Sequence, residues 1–213
     1  MSKSLAVGHP TLADRLTGPG IAVDAVLIAA GAALTAIVAQ INIPSWPVSL
    51  TAQTLAVLLV GAFLGCLRGT LSLVLYVLLG VAGLPVFGGG VSGLAALQGG
   101  RGGYLLGLVA AAALTGWFAQ RAFDHVLAGA LLSFAAGNVL IFAMALPWLA
   151  AVQHLDLGQA LSRGFYPFVI AASVKTVLAA IVVTFAWRRI IREDARVAAA
   201  DFAPERLDPH ALR

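Results

Sequence analysis

Between Gly80 and Gly107 the chain places eleven of its 23 glycines, with Pro85 and a single charge, Arg101, inside a sequence that is otherwise compatible with lipid. An unpaired backbone amide in hydrocarbon costs several kcal/mol, so irregular glycine-rich backbone beside membrane helices survives only where it is buried in protein or lines a cavity. The run GLPVFGGGVSG, from Gly83 to Gly93, cannot be helical: Pro85 ends whatever helix precedes it, and the glycines supply close backbone approach and positive φ. It reads as a fixed cap or re-entrant loop, with Val86, Phe87, Leu94 and Leu97 as its apolar filling.

The surrounding sequence supports a bilayer. Hydrophobic residues make up 61% of the chain and charged residues 10%, where soluble domains carry about 25% charged residues. A membrane helix needs about 20 predominantly apolar residues. The pattern predicts an all-α integral membrane protein of six transmembrane helices with a Gly-rich, partly buried outer loop. The spans expected are Ile21 to Ile43, Thr51 to Leu67, Thr70 to Leu84, Gly103 to Gln120, Val126 to Ala150 and Phe165 to Ile190. The second and third are short and meet in a tight turn over Gly65 to Gly69. Residues 1–20 then form a cytoplasmic N-terminal tail, 21–192 the six-helix domain and 193–213 a cytoplasmic C-terminal tail, a helix extension followed by disorder. No secretory signal is expected, since His9, Pro10, Asp14, Arg15 and Pro19 interrupt the first twenty residues. Cys66, the one cysteine, excludes an internal disulfide.

Lysine and arginine near span ends collect on the cytoplasmic side. With both termini inside a multi-pass protein of the cell (inner) membrane, that side holds Lys3, Arg15, Arg68, Arg121, Arg188, Arg189 and Arg192, and the outer loops hold Arg101 and Arg163. Orientation thus accounts for the net charge of +4. Nucleic acid is not implied, because no stacking aromatics interleave with the basic residues.

Lys175 is the only charge between Arg163 and Arg188 and falls about ten residues into the last span. Intramembrane ionisable residues are expensive and mark functional sites. Asp24 is the only carboxylate in a span and sits at the cytoplasmic end of the first one, so the partner expected for Lys175 is an exogenous anion. Snorkelling to the interface is the plain alternative. Arg101, with Gln98 three residues before it, precedes Gly-Gly-Tyr104, and a guanidinium beside glycine amides suits a carboxylate; an interfacial anchor fits equally. Asn138 is either a ligand contact or an interhelical hydrogen bond. Thr51, Gln53 and Thr54 open the second span after a loop carrying Trp46, which is either a belt aromatic or a lid over a pocket. On the first span Ala29 and Ala33 have the small-xxx-small spacing that lets another helix approach.

Phosphate-loop, zinc-protease and serine-hydrolase motifs are absent, as is a pair of intramembrane carboxylates. The four histidines are scattered over tails and loops. The chain is therefore read as a non-enzyme with no cofactor and no metal site.

The segments PVSLTAQTLAVLLVGAFLG (47–65), LYVLLGVAGLPVFGGG (75–90) and GGYLLG (102–107) closely resemble the BioY family, the biotin-specific substrate-binding S components of energy-coupling-factor (ECF) transporters. The resemblance continues through GNVLIFAMALPWLA (137–150) and PFVIAASVK (167–175). It implies a six-helix bundle whose outer loops close over biotin. It also implies partners that supply the energy this chain lacks, a transmembrane coupling protein and two cytoplasmic ATPases, with Ala29 and Ala33 on the helix that meets the coupling protein. The binding residues expected are Lys175, Arg101, Asn138, Gln98, Tyr104, Phe87, Gln53 and Trp46, with Arg101 and Lys175 dividing the carboxylate and ring ends of the vitamin. Two departures stand out. The family's Asp three residues before the lysine is Ala172 here, leaving Asn138, Gln98 or Ser173 as candidates for its ureido contact, and the usual GPTGGY is GGRGGY, which adds Arg101. Alternative readings are a secondary transporter of a small carboxylate driven by an ion gradient, and a membrane assembly subunit that binds no small molecule. The first calls for an intramembrane carboxylate and inverted repeats, and neither is evident in the sequence.

Overall fold

A computed structural model describes residues 9–18, 20–43 and 50–201. Nine α-helices are formed among them: α1 (Leu12–Leu16), α2 (Ile21–Ala39), α3 (Gln53–Leu64), α4 (Cys66–Val81), α5 (Leu94–Gln98), α6 (Gly102–Ala119), α7 (Leu127–Gln153), α8 (Leu157–Gly164) and α9 (Tyr166–Asp201). Two-residue strands, β1 (Asn42–Ile43) and β2 (Leu50–Thr51), pair antiparallel. Four helices, α2, α6, α7 and α9, are long and apolar enough to cross a membrane, while α3 and α4 are shorter apolar helices. The all-helical membrane architecture is as expected.

Helix α6 is the centre of the bundle, packed against α7, α3 and α4; α9 closes the far side against α7 and α3, and α2 lies on α4 and α3. At the α3–α4 junction Gly65 alone turns the chain, at φ +84. The expected turn through Gly69 is not formed. Gly69 stays helical within α4 and lies against Gly61 of α3, where an added Cβ would meet the Gly61 Cα at 3.0 Å. Glycine here serves close packing, so reversal needs one residue instead of five. The first span ends at Ala39, four residues early, because Asn42–Ile43 turn into the strand pair. The last runs on to Asp201, since nothing between Ile190 and Asp201 interrupts a helix. The remainder of the expected tail, like Trp46, lies outside the described residues.

The segment before α2 packs onto the bundle. Thr11 caps α1 reciprocally with Asp14, and Leu12 is buried among Leu58, Phe134 and Trp187 in the core at this end. Arg68, 2% exposed, reaches Asp14 Oδ1 and Asp24 Oδ1, each at 2.6 Å. One guanidinium therefore ties α1, α2 and α4 together, and the in-span carboxylate singled out in the sequence is matched by an arginine of this chain. The 3-10 turn Phe123–His125 between α6 and α7 is fixed at the same end, where the Trp187 indole donates to Asp124 Oδ2 (2.9 Å). Burial pushes the Asp124 carboxyl up to about 6, against that opposing hydrogen bond. Arg15 and Asp194 approach to 3.4 Å, so α1 and the C-terminal part of α9 share this end of the molecule.

Candidate functional site

At the opposite end the Gly-rich stretch is a fixed cap, consistent with its sequence pattern. Phe87 N–H donates to the Val91 carbonyl and Gly93 N–H to the Gly80 carbonyl, closing a small loop on the end of α4. Phe87 is buried and packs edge-on against Tyr76, ring centroids 5.5 Å apart. The ring fits because residue 80 is glycine: a Cβ there would collide with it. Side chains from four helices hold the cap. The Gln40 amide donates to the Val86 carbonyl (3.1 Å) and accepts from Gly90 N–H (3.1 Å). Tyr76 Oη donates to the Val86 carbonyl (3.2 Å), Arg101 to the Gly88 carbonyl (3.1 Å) and Trp148 Nε1 to the Gly99 carbonyl (3.0 Å).

Beneath the cap lies a cavity. Gln53 and Thr54 come from the first turn of α3, Phe87 and Gly88 from the cap, and Arg101, Tyr104, Leu105 and Leu108 from one face of α6. Ile141 and Phe142 come from α7, and Phe168, Ala172 and Lys175 from one face of α9. The spacings 101, 104, 105, 108 and 168, 172, 175 are those of residues stacked along one side of a helix. The walls are mostly apolar, and no carboxylate lines the cavity among the described residues.

Electrostatics favour an anion. Lys175, half-buried, donates from Nζ to Thr54 Oγ1 (3.1 Å) inside the bundle, and Arg101 lines the same cavity. Helices α3 and α6 both begin at the cavity, and helix N-termini present unpaired N–H groups and the positive end of the dipole. Helix α3 spans about 18 Å, shorter than α6, α7 and α9.

Five of the eight residues singled out in the sequence line this cavity: Lys175, Arg101, Tyr104, Phe87 and Gln53. The Tyr104 hydroxyl is committed to the Gly164 carbonyl, so its ring is a wall. Asn138 is not part of the lining. Its Nδ2 donates to the Phe134 carbonyl (3.0 Å) and Thr176 Oγ1 (2.9 Å), the interhelical alternative. Gln98 is exposed at the end of α5 and does not line the cavity, and Ser173 is exposed with its hydroxyl turned to the Val169 carbonyl. None of the three candidates for the missing aspartate contact therefore lines the chamber, although Ala172 does. Thr54, absent from the expected binding residues, also lines the cavity, and its place beside Gln53 at the start of an apolar span is the sequence signal for it. Ala29 and Ala33 are exposed on α2.

The BioY family model matches residues 8–192. The chain is 36% identical over 155 residues to the biotin transporter BioY2 of Lactococcus lactis, covering 73% of this chain and 85% of that one. It is 40% identical over 158 residues to the biotin transporter BioY of Thermotoga maritima, covering 73% and 92%. Among solved structures, the S-component for biotin from an ECF-type ABC transporter superposes with a TM-score of 0.68 at 23% identity, covering 76% of this chain and 88% of the other, a likeness of fold.

Proposed function

The chain belongs to the BioY family, and from that premise we propose that this multi-pass membrane protein binds biotin and mediates its uptake. The observation that carries the reading is the cavity under the Gly-rich cap, whose apolar walls hold two cations, Lys175 and Arg101, and two helix N-termini. Biotin has an apolar bicyclic ring and aliphatic tail, a ureido group and a carboxylate, and a largely apolar pocket with a few placed polar groups suits it. Arg101 is hydrogen-bonded to Gly88 of the cap, and Lys175 lies about 14 Å along α9 from its start. An ionised carboxylate is costly to bury deeply. The ring therefore enters first, towards Gln53, Thr54 and Lys175, and the carboxylate follows and meets Arg101.

All six apolar helices, α2, α3, α4, α6, α7 and α9, form the membrane bundle, with α3 and α4 as short spans beside the cavity. The end holding Arg15, Arg68, Arg121, Arg188, Arg189 and Arg192 faces the cytoplasm of the cell membrane by the positive-inside rule, both termini included. The cap faces outward, where the vitamin arrives. The chain works as the S component of an ECF module, energised by cytoplasmic ATPases through a transmembrane coupling protein that packs on α2 at Ala29 and Ala33. Small residues there permit close helix approach.

Equilibrium binding of labelled biotin to the purified chain tests this. Saturable binding independent of sodium and pH gradients is expected. An absolute requirement for sodium or for protons would identify an ion-driven carrier, and no saturable binding at all would overturn the reading.

A further inference from the structure

Gln53 is buried, lines the cavity, and donates from Nε2 to Tyr76 Oη at 3.0 Å. The direction of that bond follows from the next one. Tyr76 Oη is 3.2 Å from the Val86 carbonyl, which can only accept, so the single phenolic hydrogen is spent there and the oxygen has only lone pairs to offer Gln53. The Gln53 amide nitrogen must therefore face Tyr76. Its oxygen, Oε1, is left pointing the other way and accepts no hydrogen bond among the described residues.

We infer that Gln53 Oε1 is the acceptor for a ring N–H of the ligand, and that Tyr76, which touches no ligand, is the positioning residue that fixes the amide in that orientation. The inference deepens the biotin reading and rests on it: the ligand end that reaches the first turn of α3 must carry an N–H donor, as a cyclic urea does. The chamber has no carboxylate lining to take this contact, position 172 is alanine, and Asn138, Gln98 and Ser173 do not line it. Because Tyr76 is itself fastened to Val86 of the cap, the acceptor is aimed only while the cap is seated.

The test compares two labelled probes, biotin and a biotin analogue methylated on the ureido nitrogen, across wild type, Gln53→Leu and Tyr76→Phe. Wild type should prefer biotin by about tenfold, and Gln53→Leu should lose about three- to tenfold in biotin affinity while binding both probes alike, as removal of one hydrogen bond predicts. Tyr76→Phe should shrink the preference in wild type yet change nothing further in the Gln53→Leu background. A merely structural role would lower both affinities together, so a preference retained in the variants overturns the assignment; if Gln53→Leu fails to fold, Tyr76→Phe alone decides by the same criterion. Wild type binding neither probe would instead bring down the biotin reading beneath it.

Discussion

Lys175 on α9 donates a 3.1 Å hydrogen bond from Nζ to Thr54 Oγ1 on the first turn of α3. The bond joins two helices at the cavity that both residues line. A charge in that position is costly unless it faces polar groups. Thr54 supplies one of those polar groups.

Arg101 is assigned to the carboxylate, which separates its substitution from any other in the wall. Arg101→Met should reduce the preference for biotin over biotinamide by about tenfold or more, the loss expected for a charge-assisted hydrogen bond. Competition binding with the two ligands measures it. An unchanged preference would move the carboxylate elsewhere.

Arg68 is a buried charge in the molecule's other half, 2% exposed and shared by Asp14 and Asp24. Arg68→Met leaves both carboxylates without their cation, and breaking a buried pair from one side costs about 3–5 kcal/mol. A large fall in the thermal midpoint of the purified protein is expected, with α1 becoming susceptible to protease. Asp14→Asn, which keeps the Asp24 pair, should cost much less.

Gly80 and Phe87 form one unit, since any Cβ at residue 80 meets the ring. In a helix, alanine is intrinsically favoured over glycine by about 1 kcal/mol, so a loss on Gly80→Ala must come from the ring it displaces. Biotin affinity should fall as the cap shifts. In a Phe87→Leu background the same change should cost less, with a coupling of about 1 kcal/mol or more in the double-mutant cycle. Additive effects would mean that the cap tolerates the clash.

Asp124 makes stability depend on pH in the direction opposite to that of a salt-bridged carboxylate. Burial raises its folded-state pKa to about 6 from 3.8, so the folded protein holds a proton that the unfolded chain releases between those values. The stabilisation is full below pH 3.8 and is lost as pH rises through 6, amounting to at most about 3 kcal/mol. Thermal midpoints should be higher at pH 5 than at pH 8. Asp124→Asn, whose amide oxygen can still accept from Trp187, should remove that component and gain stability at pH 8; an unaltered pH slope would contradict the assignment.

Much of this was legible in the sequence because a bilayer simplifies the reading. Apolar runs place α2, α6 and α7 within a few residues and α9 at its start, and Pro85 with its glycines marks the cap, since lipid forbids such backbone unless protein covers it. Lys175 and Arg101 were visible as isolated charges for the same reason. Composition does not tell a turning glycine such as Gly65 from a packing glycine such as Gly69, and it does not show that Arg68 anchors α1. Nor does a polar residue in a span declare which side it faces. Asn138 suits a ligand or an interhelical hydrogen bond equally well in the sequence, and only the packing of α7 on α9, which brings it to Thr176, decides.

The central claim is that the ammonium of Lys175 serves a captured biotin molecule, and the affinity of labelled biotin for purified Lys175→Met against wild type tests it most directly. A loss of about 10- to 100-fold, with the thermal midpoint of the ligand-free protein nearly unchanged, is the result predicted from one charge-assisted contact. Equal affinities in the two proteins would contradict it.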